Sequence, residues 1–320
     1  MFRVYIVIGM VWCMTFLQGC GTNEDVVGTE NIADWFEVKD KPGELNQLLY
    51  RIYKEYDLTI FVNDTLGMEE RGIDAYGNPI IHTELFDLGY YIFGTYSDFE
   101  NVQLSEDTLA MIKAVEVIEE KVIPYLPKSG EYRPRSLLLA GAINMLYSVW
   151  SYYGTYDIYY TQDVYYRSLK GVVCGELNRI LEMDASELEW WAGRILAARI
   201  GEGITACYES DVKAFYAITD EGVSSGTYYN KKYTLGSSDA KLPCEEYSFL
   251  GWKCDEEVND QYKVTYTQEE DLQEFVAAVY VYRGKEEQFM TKYQAYNKIL
   301  RKFTLMKELV TRLENMIKNE

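Results

Sequence analysis

The sequence contains very little histidine. His82 is the only one among 320 residues, and neither a Cys-x-x-Cys pair nor a Cys/His cluster occurs. Structural and catalytic zinc sites are built largely from these two residue types. The sequence therefore excludes an ordinary thiolate or two-histidine zinc site, and it predicts that His82 is a loop residue rather than a metal ligand.

Positive charge is also scarce. The chain has 31 Lys and Arg against 51 Asp and Glu, a formal net charge of −20, with no basic stripe. Such a polyanion is repelled by nucleic acid and by acidic membrane surfaces. We therefore expect no nucleic-acid partner.

Long apolar runs are missing except at the start, where Val4 to Leu17 form a run of about 14 residues after a single charge at Arg3. A bilayer-spanning helix needs about 20 residues. A basic start, a short apolar run and a small-residue end are typical of a cleaved signal peptide.

The sequence Leu17-Gln18-Gly19-Cys20 follows this run and resembles the bacterial lipobox. That resemblance implies a signal peptide over 1–19, a lipid on Cys20 that attaches the chain to a membrane, a flexible tether over 20–42 and a single domain over 43–320. The alternative is an ordinary signal peptide with a chance cysteine. The residues GTNED after Cys20 resemble a surface-export signal, which implies an outer-membrane lipoprotein exposed at the cell surface.

Two of the remaining cysteines are close in sequence. Cys244 and Cys254 flank a short segment that can turn back on itself, and an exported chain permits disulfides. A local disulfide between them is one interpretation and two free thiols the other. Cys174 lies in an apolar run and is predicted to be a buried free thiol.

Hydrophobic periodicity predicts an α+β fold. Ser105 is predicted to cap the helix that ends at Pro124, and 201–266 show no clear pattern. The remaining predicted elements are helices over 44–55, 164–181, 186–200, 268–282 and from 285, and strands over 58–62, 90–93, 137–145 and 153–161.

The predicted helix over 164–181 contains Gly175-Glu176-Leu177-Asn178-Arg179. A zinc-peptidase helix carries His-Glu-x-x-His, which brings two imidazoles to one metal beside a glutamate that polarises the bound water. Here Glu176 matches the glutamate, while Gly175 and Arg179 stand at the two histidine positions.

A second segment, Glu269-Glu270-Asp271-Leu272-Gln273-Glu274-Phe275, opens a later helix. Together with the segment order over about 35–315, these two motifs resemble a family of exported lipoprotein zinc-binding metallopeptidases associated with outer-membrane glycan-uptake systems. The resemblance implies a zincin-like fold with a small mixed sheet, an active-site-type helix and a helical C-terminal part. It also implies a zinc site whose remnants are Glu176, Glu270 and Glu274; the alternative is that these are solvated helix carboxylates.

The departures from the family pattern argue against activity, because glycine binds no metal and arginine repels one. We therefore expect zinc to be lost, and Arg179 to occupy the former metal region in a buried pair with Glu270, Glu274 or Glu176. The alternative is a solvent-pointing Arg179 paired only along its own helix.

A tyrosine-rich segment runs from Tyr147 to Tyr166. Its rings either pack in the core or form a binding face for sugars or a partner. The expected function is a lipid-anchored, non-catalytic binding or accessory protein of a glycan-uptake or envelope assembly. The alternative is a metallopeptidase-like hydrolase using Glu176 and Glu270/Glu274.

We expect the Cys20→Ala variant to lose membrane association and to remain unprocessed or soluble, because the thiol is the predicted acylation site. Fractionation of cells that express the variant and the parent measures this. Identical membrane fractions for both would rule out the lipobox interpretation.

Overall fold

The longest strand, β5 (Ser136–Trp150), is the centre of the fold. A computed structural model of the chain describes residues 33–86, 99–150, 156–168, 170–253 and 262–319. Residues from Phe36 onward belong to one compact unit. The described elements confirm a mixed α+β architecture.

Within these residues, the α-helices are α1 (Glu44–Tyr56), α2 (Thr108–Val117), α3 (Ala185–Cys207), α4 (Glu209–Asp220), α5 (Gln268–Val281), α6 (Glu286–Lys292) and α7 (Asn297–Asn319). The other strands are β1 (Thr59–Phe61), β2 (Thr65–Ile73), β3 (Pro79–Leu85), β4 (Phe99–Leu104), β6 (Tyr156–Gln162), β7 (Tyr165–Arg167), β8 (Val172–Cys174), β9 (Lys232–Thr234) and β10 (Tyr262–Val264).

The main sheet is small and mixed, with strand order β1-β5-β8-β7. Strands β1 and β8 run parallel to the first half of β5, and β7 runs antiparallel to β8 at the edge. The second half of β5 pairs with β4 and β6 in antiparallel fashion. The two remaining sheets are the hairpins β2–β3 and β9–β10.

Side chains of β5 alternate between two apolar layers, as strand geometry requires. Leu137 and Leu139 face the main core beneath the helices, whereas Leu138 and Ala140 contact a smaller cluster that includes Phe86. Both faces of the sheet are therefore covered, and the helices lie on the larger side.

The helix predicted over 164–181 is wrong. Residues 165–167 and 172–174 are strands, and 175–182 form a turn whose backbone amides at Leu177 and Asn178 donate to β5. An apolar run this short does not distinguish a buried strand from a helix. The flanking glycines favour the strand, because a Cβ at Gly171 would lie 2.1 Å from the Ser136 carbonyl oxygen, and a Cβ at Gly175 would lie 2.6 Å from that of Asp163.

Three smaller predictions also need correction. Asp107, not Ser105, caps α2, because its carboxylate accepts from the amides of Leu109 and Ala110. The region 201–266 is not irregular throughout, since α3 extends into it and α4 lies within it. His82 lies on strand β3 rather than in a loop.

Some predictions fall outside the described residues: the signal peptide, Cys20 and the strand over 90–93. None of the helices that are described is long and apolar enough to cross a membrane.

A fully buried ion pair holds the helical layer together. Lys302 of α7 donates to both carboxylate oxygens of Asp271 on α5, at 2.7 and 2.6 Å, and neither side chain is exposed. The Lys302 ammonium also donates to the Thr219 hydroxyl at 3.0 Å and the Ser248 carbonyl at 2.9 Å. Burial lowers the pKa of Lys302 to about 8, against the opposing effect of the Asp271 charge.

We expect Lys302→Met to destabilise the fold by roughly 3–5 kcal/mol, because it leaves Asp271 buried without its counter-ion. The double variant Lys302→Met/Asp271→Leu should recover part of that loss, since it removes both charges. Denaturant unfolding midpoints measure both effects. Arg301→Met is the matched control: Arg301 pairs with Glu221 in solvent, so its midpoint should stay close to that of the parent. If Lys302→Met and Arg301→Met lowered the unfolding midpoint equally, the assignment of Lys302 and Asp271 as the stabilising buried pair would be contradicted.

Candidate functional site

A cleft of about 530 Å³ lies where the sheet edge meets the start of α5. Strand β7 supplies one wall, α5 another, and the segment around Trp252 a third. Its aromatic lining consists of Tyr165, Tyr166, Trp252 and Tyr266. Burial raises the pKa of Tyr165 and of Tyr266, so both hydroxyls are neutral near pH 7.

One ion pair of the cleft lining joins Arg194 of α3 to Glu274 of α5. The arginine Nε lies 2.7 Å from Glu274 Oε1, and a terminal guanidinium nitrogen lies 3.1 Å from Oε2. This two-point geometry is the strongest form of a carboxylate–arginine contact. Burial lowers the pKa of Arg194 and the Glu274 charge raises it, with a net rise, so the guanidinium stays charged.

Two further ion pairs neutralise charged side chains of the cleft lining. Arg167 of β7 pairs with Glu269, and Lys253 Nζ lies 2.7 Å from Glu270 Oε1. Glu270 also closes the capping box of α5, since its carboxylate accepts from the Thr267 amide at 2.8 Å. The three cationic side chains of the lining are thus each bound to a carboxylate of α5.

Glu176 lies in an adjoining cavity of about 290 Å³, which Arg194 and Glu274 also line. Its side chain is 14% exposed, and its backbone has φ 65° in the turn after β8. A non-glycine residue in this conformation is strained. Burial raises the pKa of Glu176, opposed by the charges of Arg179 and Arg194.

The predicted buried pair of Arg179 with Glu270 or Glu274 is wrong. The Arg179 side chain is 48% exposed, with Nε 3.3 Å from Glu176 and a terminal nitrogen 3.7 Å from Glu187. This is the solvent-pointing alternative, although on a turn instead of a helix. Because 175–179 are not helical, Gly175 and Arg179 do not occupy two positions of one helical face, and their comparison with a His-Glu-x-x-His helix fails.

The structure therefore brings together Glu176 and Glu274, but it places Glu270 in the neighbouring cleft and keeps Arg179 at the rim. Sequence reasoning missed Arg194, which is the arginine that binds Glu274. A signal was present: Arg194 is a charged residue inside an otherwise apolar stretch of α3, between buried Trp191 and Ile195. The sequence did not reveal which carboxylate it meets.

Among the described residues, no group of three or more His, Cys, Asp or Glu is arranged to hold a metal ion. Cys174 is a buried free thiol, as predicted. Cys244 is buried, with its thiol 3.3 Å from Glu245; Cys254 lies outside the described residues, so their disulfide remains a prediction.

The aromatic segment 147–166 falls largely outside what can be described. Its backbone over 156–162 forms β6, while the side chains of 145–162 are not described. Of the rings of this segment that are described, Tyr165 and Tyr166 line the cleft.

Comparisons with protein-family models, with curated proteins and with solved structures found no match to this chain.

We expect Arg194→Ala to cost about 2 kcal/mol of stability, because it strands the 13%-exposed carboxylate of Glu274 without its two-point partner. Arg179→Ala is the matched control and should cost less than about 1 kcal/mol, since its ion pairs are exposed to solvent. Chemical denaturation of both variants measures the difference. A larger loss of stability in Arg179→Ala than in Arg194→Ala would contradict this assignment.

Proposed function

We propose that this chain is a lipid-anchored, exported binding protein that works without zinc catalysis, as an accessory component of a glycan-uptake or envelope assembly. The ligand site is the cleft between β7 and the start of α5. Attachment to the outer membrane is through Cys20.

The observation that carries this proposal is the neutralised aromatic lining of the cleft. Arg167, Lys253 and Arg194 each bind a carboxylate, so the lining offers no uncompensated cation for an anionic ligand among the residues that the structure describes. Aromatic rings next to planar, hydrogen-bonding side chains suit a neutral polar ligand with apolar faces, such as a sugar. A ligand of that kind fits an accessory role in glycan uptake.

The lack of zinc chemistry is supported by the side chains at the helix pair α3–α5. Helix α3 packs on α5 beside the cleft, contains no histidine, and presents Arg194 to Glu274. A guanidinium bound at two points leaves Glu274 with little capacity for a metal, because the positive charge already occupies both oxygens.

The relation to zinc metallopeptidases is carried by the second motif alone. The first motif, Gly175–Arg179, lies on a turn, so the active-site-type helix expected there is absent. The second motif, at Glu270–Glu274, does open a helix that faces the cleft. The small mixed sheet and the helical C-terminal part are the two remaining features that a degenerate zincin-like domain would share.

A hydrolase is the second candidate, and one observation favours it. Glu176 combines a strained backbone with a buried carboxyl of raised pKa beside a cavity, and such groups are frequent among catalytic acids and bases. Glu274 lines the same cavity, but its carboxylate is held by Arg194.

We expect the mature protein to melt at a higher temperature with a cognate oligosaccharide present, by about 5 °C at a concentration near 100 times Kd. Trp252→Ala should abolish this shift because it removes an aromatic wall of the cleft. Tyr76→Ala is the control, since Tyr76 is 91% exposed and lies outside the cleft lining. Thermal melting against a panel of oligosaccharides measures the effect.

The opposing outcome is enzymatic. One equivalent of zinc that survives dialysis, together with peptide cleavage that Glu176→Gln abolishes and Glu187→Gln preserves, would reject the binding proposal in favour of the hydrolase.

A further inference from the structure

The β2–β3 hairpin is an isolated two-stranded ribbon. Neither strand pairs with a third among the described residues. Both irregularities in its register lie on β2, between Thr65 and Gly67 and between Glu70 and Ile73. A ribbon of this kind is marginally stable in water unless something covers it.

The end of the hairpin is apolar and nearly uncharged. From Ile73 to Ile81 the sequence reads IDAYGNPII, with Asp74 as its single charged residue, in a chain where 26% of residues are charged. Four large side chains of this segment are exposed: Ile73 by 66%, Tyr76 by 91%, Ile80 by 48% and Ile81 by 53%. Concentrated exposed apolar surface of this kind marks a contact with a protein or a membrane.

The one carboxylate at this end, that of Asp74, is hydrogen-bonded within the turn of the hairpin. Asp74 accepts from the backbone amides of Tyr76 and Asn78, both at 2.8 Å, and from the Asn78 side chain at 3.1 Å. These bonds lower the pKa of Asp74. Its charge is therefore locally compensated. The nearest other charged residues of the ribbon are Glu70, opposite Ile81, and Arg71, which pairs with Glu69 at 2.6 Å, and Glu84 lies at the root.

The root of the hairpin lies next to the point where the chain enters the domain. Phe36, the first residue of the compact unit, packs edge-on against Phe61 with ring centroids 5.8 Å apart, and Phe61 packs against Phe86 at 5.9 Å. The Phe36 carbonyl accepts from the Thr59 hydroxyl at 2.6 Å. The Lys170 ammonium donates to the Glu84 carboxylate and to the Leu85 carbonyl, and these bonds connect the root of the hairpin to the main sheet.

Chain length allows the anchor and the hairpin end to reach the same surface. A nine-residue strand such as β2 is about 30 Å long. The residues from Cys20 to Phe36 span at most about 55 Å. A lipid on Cys20 can therefore sit in the membrane that the end of the hairpin touches.

We propose that the hairpin end, residues 73–81, is a membrane contact that seats in the interfacial layer of the bilayer in which Cys20 is anchored. Tyr76 and the three isoleucines enter the headgroup region, where an amphipathic ring is favoured. The inference rests on the lipid anchor of the proposed function. It gives the domain a second attachment point and a defined orientation on the membrane.

A bilayer is favoured over a second copy of the chain by charge. Each chain carries −20, so two copies repel each other, and an apolar ribbon end would need to overcome that repulsion. The same charge makes the expected lipid surface neutral and not anionic.

The test uses the mature chain with Cys20→Ser, which has no lipid, and vesicles of phosphatidylcholine. The parent should co-sediment with the vesicles, and its binding should be insensitive to a rise in salt because the contact is apolar. The triple variant Ile73→Ser/Tyr76→Ser/Ile81→Ser should bind at least about tenfold more weakly. Leu109→Ser is the matched control, since Leu109 is also 66% exposed but lies on α2.

Absence of vesicle binding by the parent, or equal binding by the parent and the triple variant, would overturn the proposal. So would a concentration-dependent dimer of the parent that the triple variant abolishes, because the hairpin end would then be a protein interface. Thermal melting shows that the variants are folded. Because this assay uses unlipidated protein, its result is independent of the Cys20→Ala fractionation and of the oligosaccharide melts that test the proposed function.

Discussion

The buried pair of Lys302 and Asp271 is the contact on which the geometry of the cleft depends. It joins α7 to α5, and the Lys302 ammonium lies 4.5 to 5.3 Å from the ring centroids of Phe215, Phe249 and Phe275. Two desolvated charges are costly unless all their hydrogen bonds are made. Here the ammonium has acceptors on Asp271, Thr219 and Ser248, and Asp271 accepts additionally from Tyr229 at 2.8 Å. The network therefore fixes the rotation of α5 about its axis.

That rotation decides where the other acidic residues of α5 point. Asp271 faces the helical core, so Glu274, one turn later, reaches Arg194, while Glu269 and Glu270 pair with other cations of the cleft lining. The acidic start of α5 also suits the positive end of the helix dipole. A single buried pair thus sets the direction of three carboxylates that neutralise three cations across the cleft.

The sequence predicted the elements whose pattern is local. The apolar stripe of α7, the acidic start of α5 and the apolar run of β5 all appear where periodicity places them, within a few residues. It failed where a neighbour in space decides the structure. Val172 and Val173 form a strand because β5 lies beside them, and the hydrophobic periodicity of the window 164–181 does not record that neighbour.

The charged residues show the same limit. Lys302 lies beside the apolar stripe of α7. From sequence, a lysine there is predicted to be solvated, because burial of an unpaired ammonium is too costly. Its partner is 31 positions away. Arg194 and Glu274 are 80 positions apart, so the sequence named Glu274 as a candidate but not the arginine that it meets. The sequence grouped Glu176 with Glu270 and Glu274; Glu176 and Glu274 line one cavity, whereas Glu270 lines the neighbouring cleft. It placed the guanidinium that meets Glu274 at Arg179, and that placement is wrong.

The placement of the guanidinium changes what the site can do. Arg179 lies on an exposed turn. Had it been the partner of Glu274, its side chain could have moved aside to admit a ligand or a cation. Arg194 instead projects from the long helix α3. Its Cζ lies 5.6 Å from the centroid of the Trp190 ring, and its guanidinium donates two hydrogen bonds to Glu274. A rigid, doubly bound pair keeps its geometry when a ligand enters, which lowers the ordering cost of binding.

The same rigidity removes the free carboxylate that hydrolytic chemistry would require at Glu274. Glu176 also lines the adjoining cavity, where burial raises the pKa of its carboxyl, and it lies on a strained turn rather than on a helix. The doubly bound carboxylate of Glu274 supports the proposed neutral ligand.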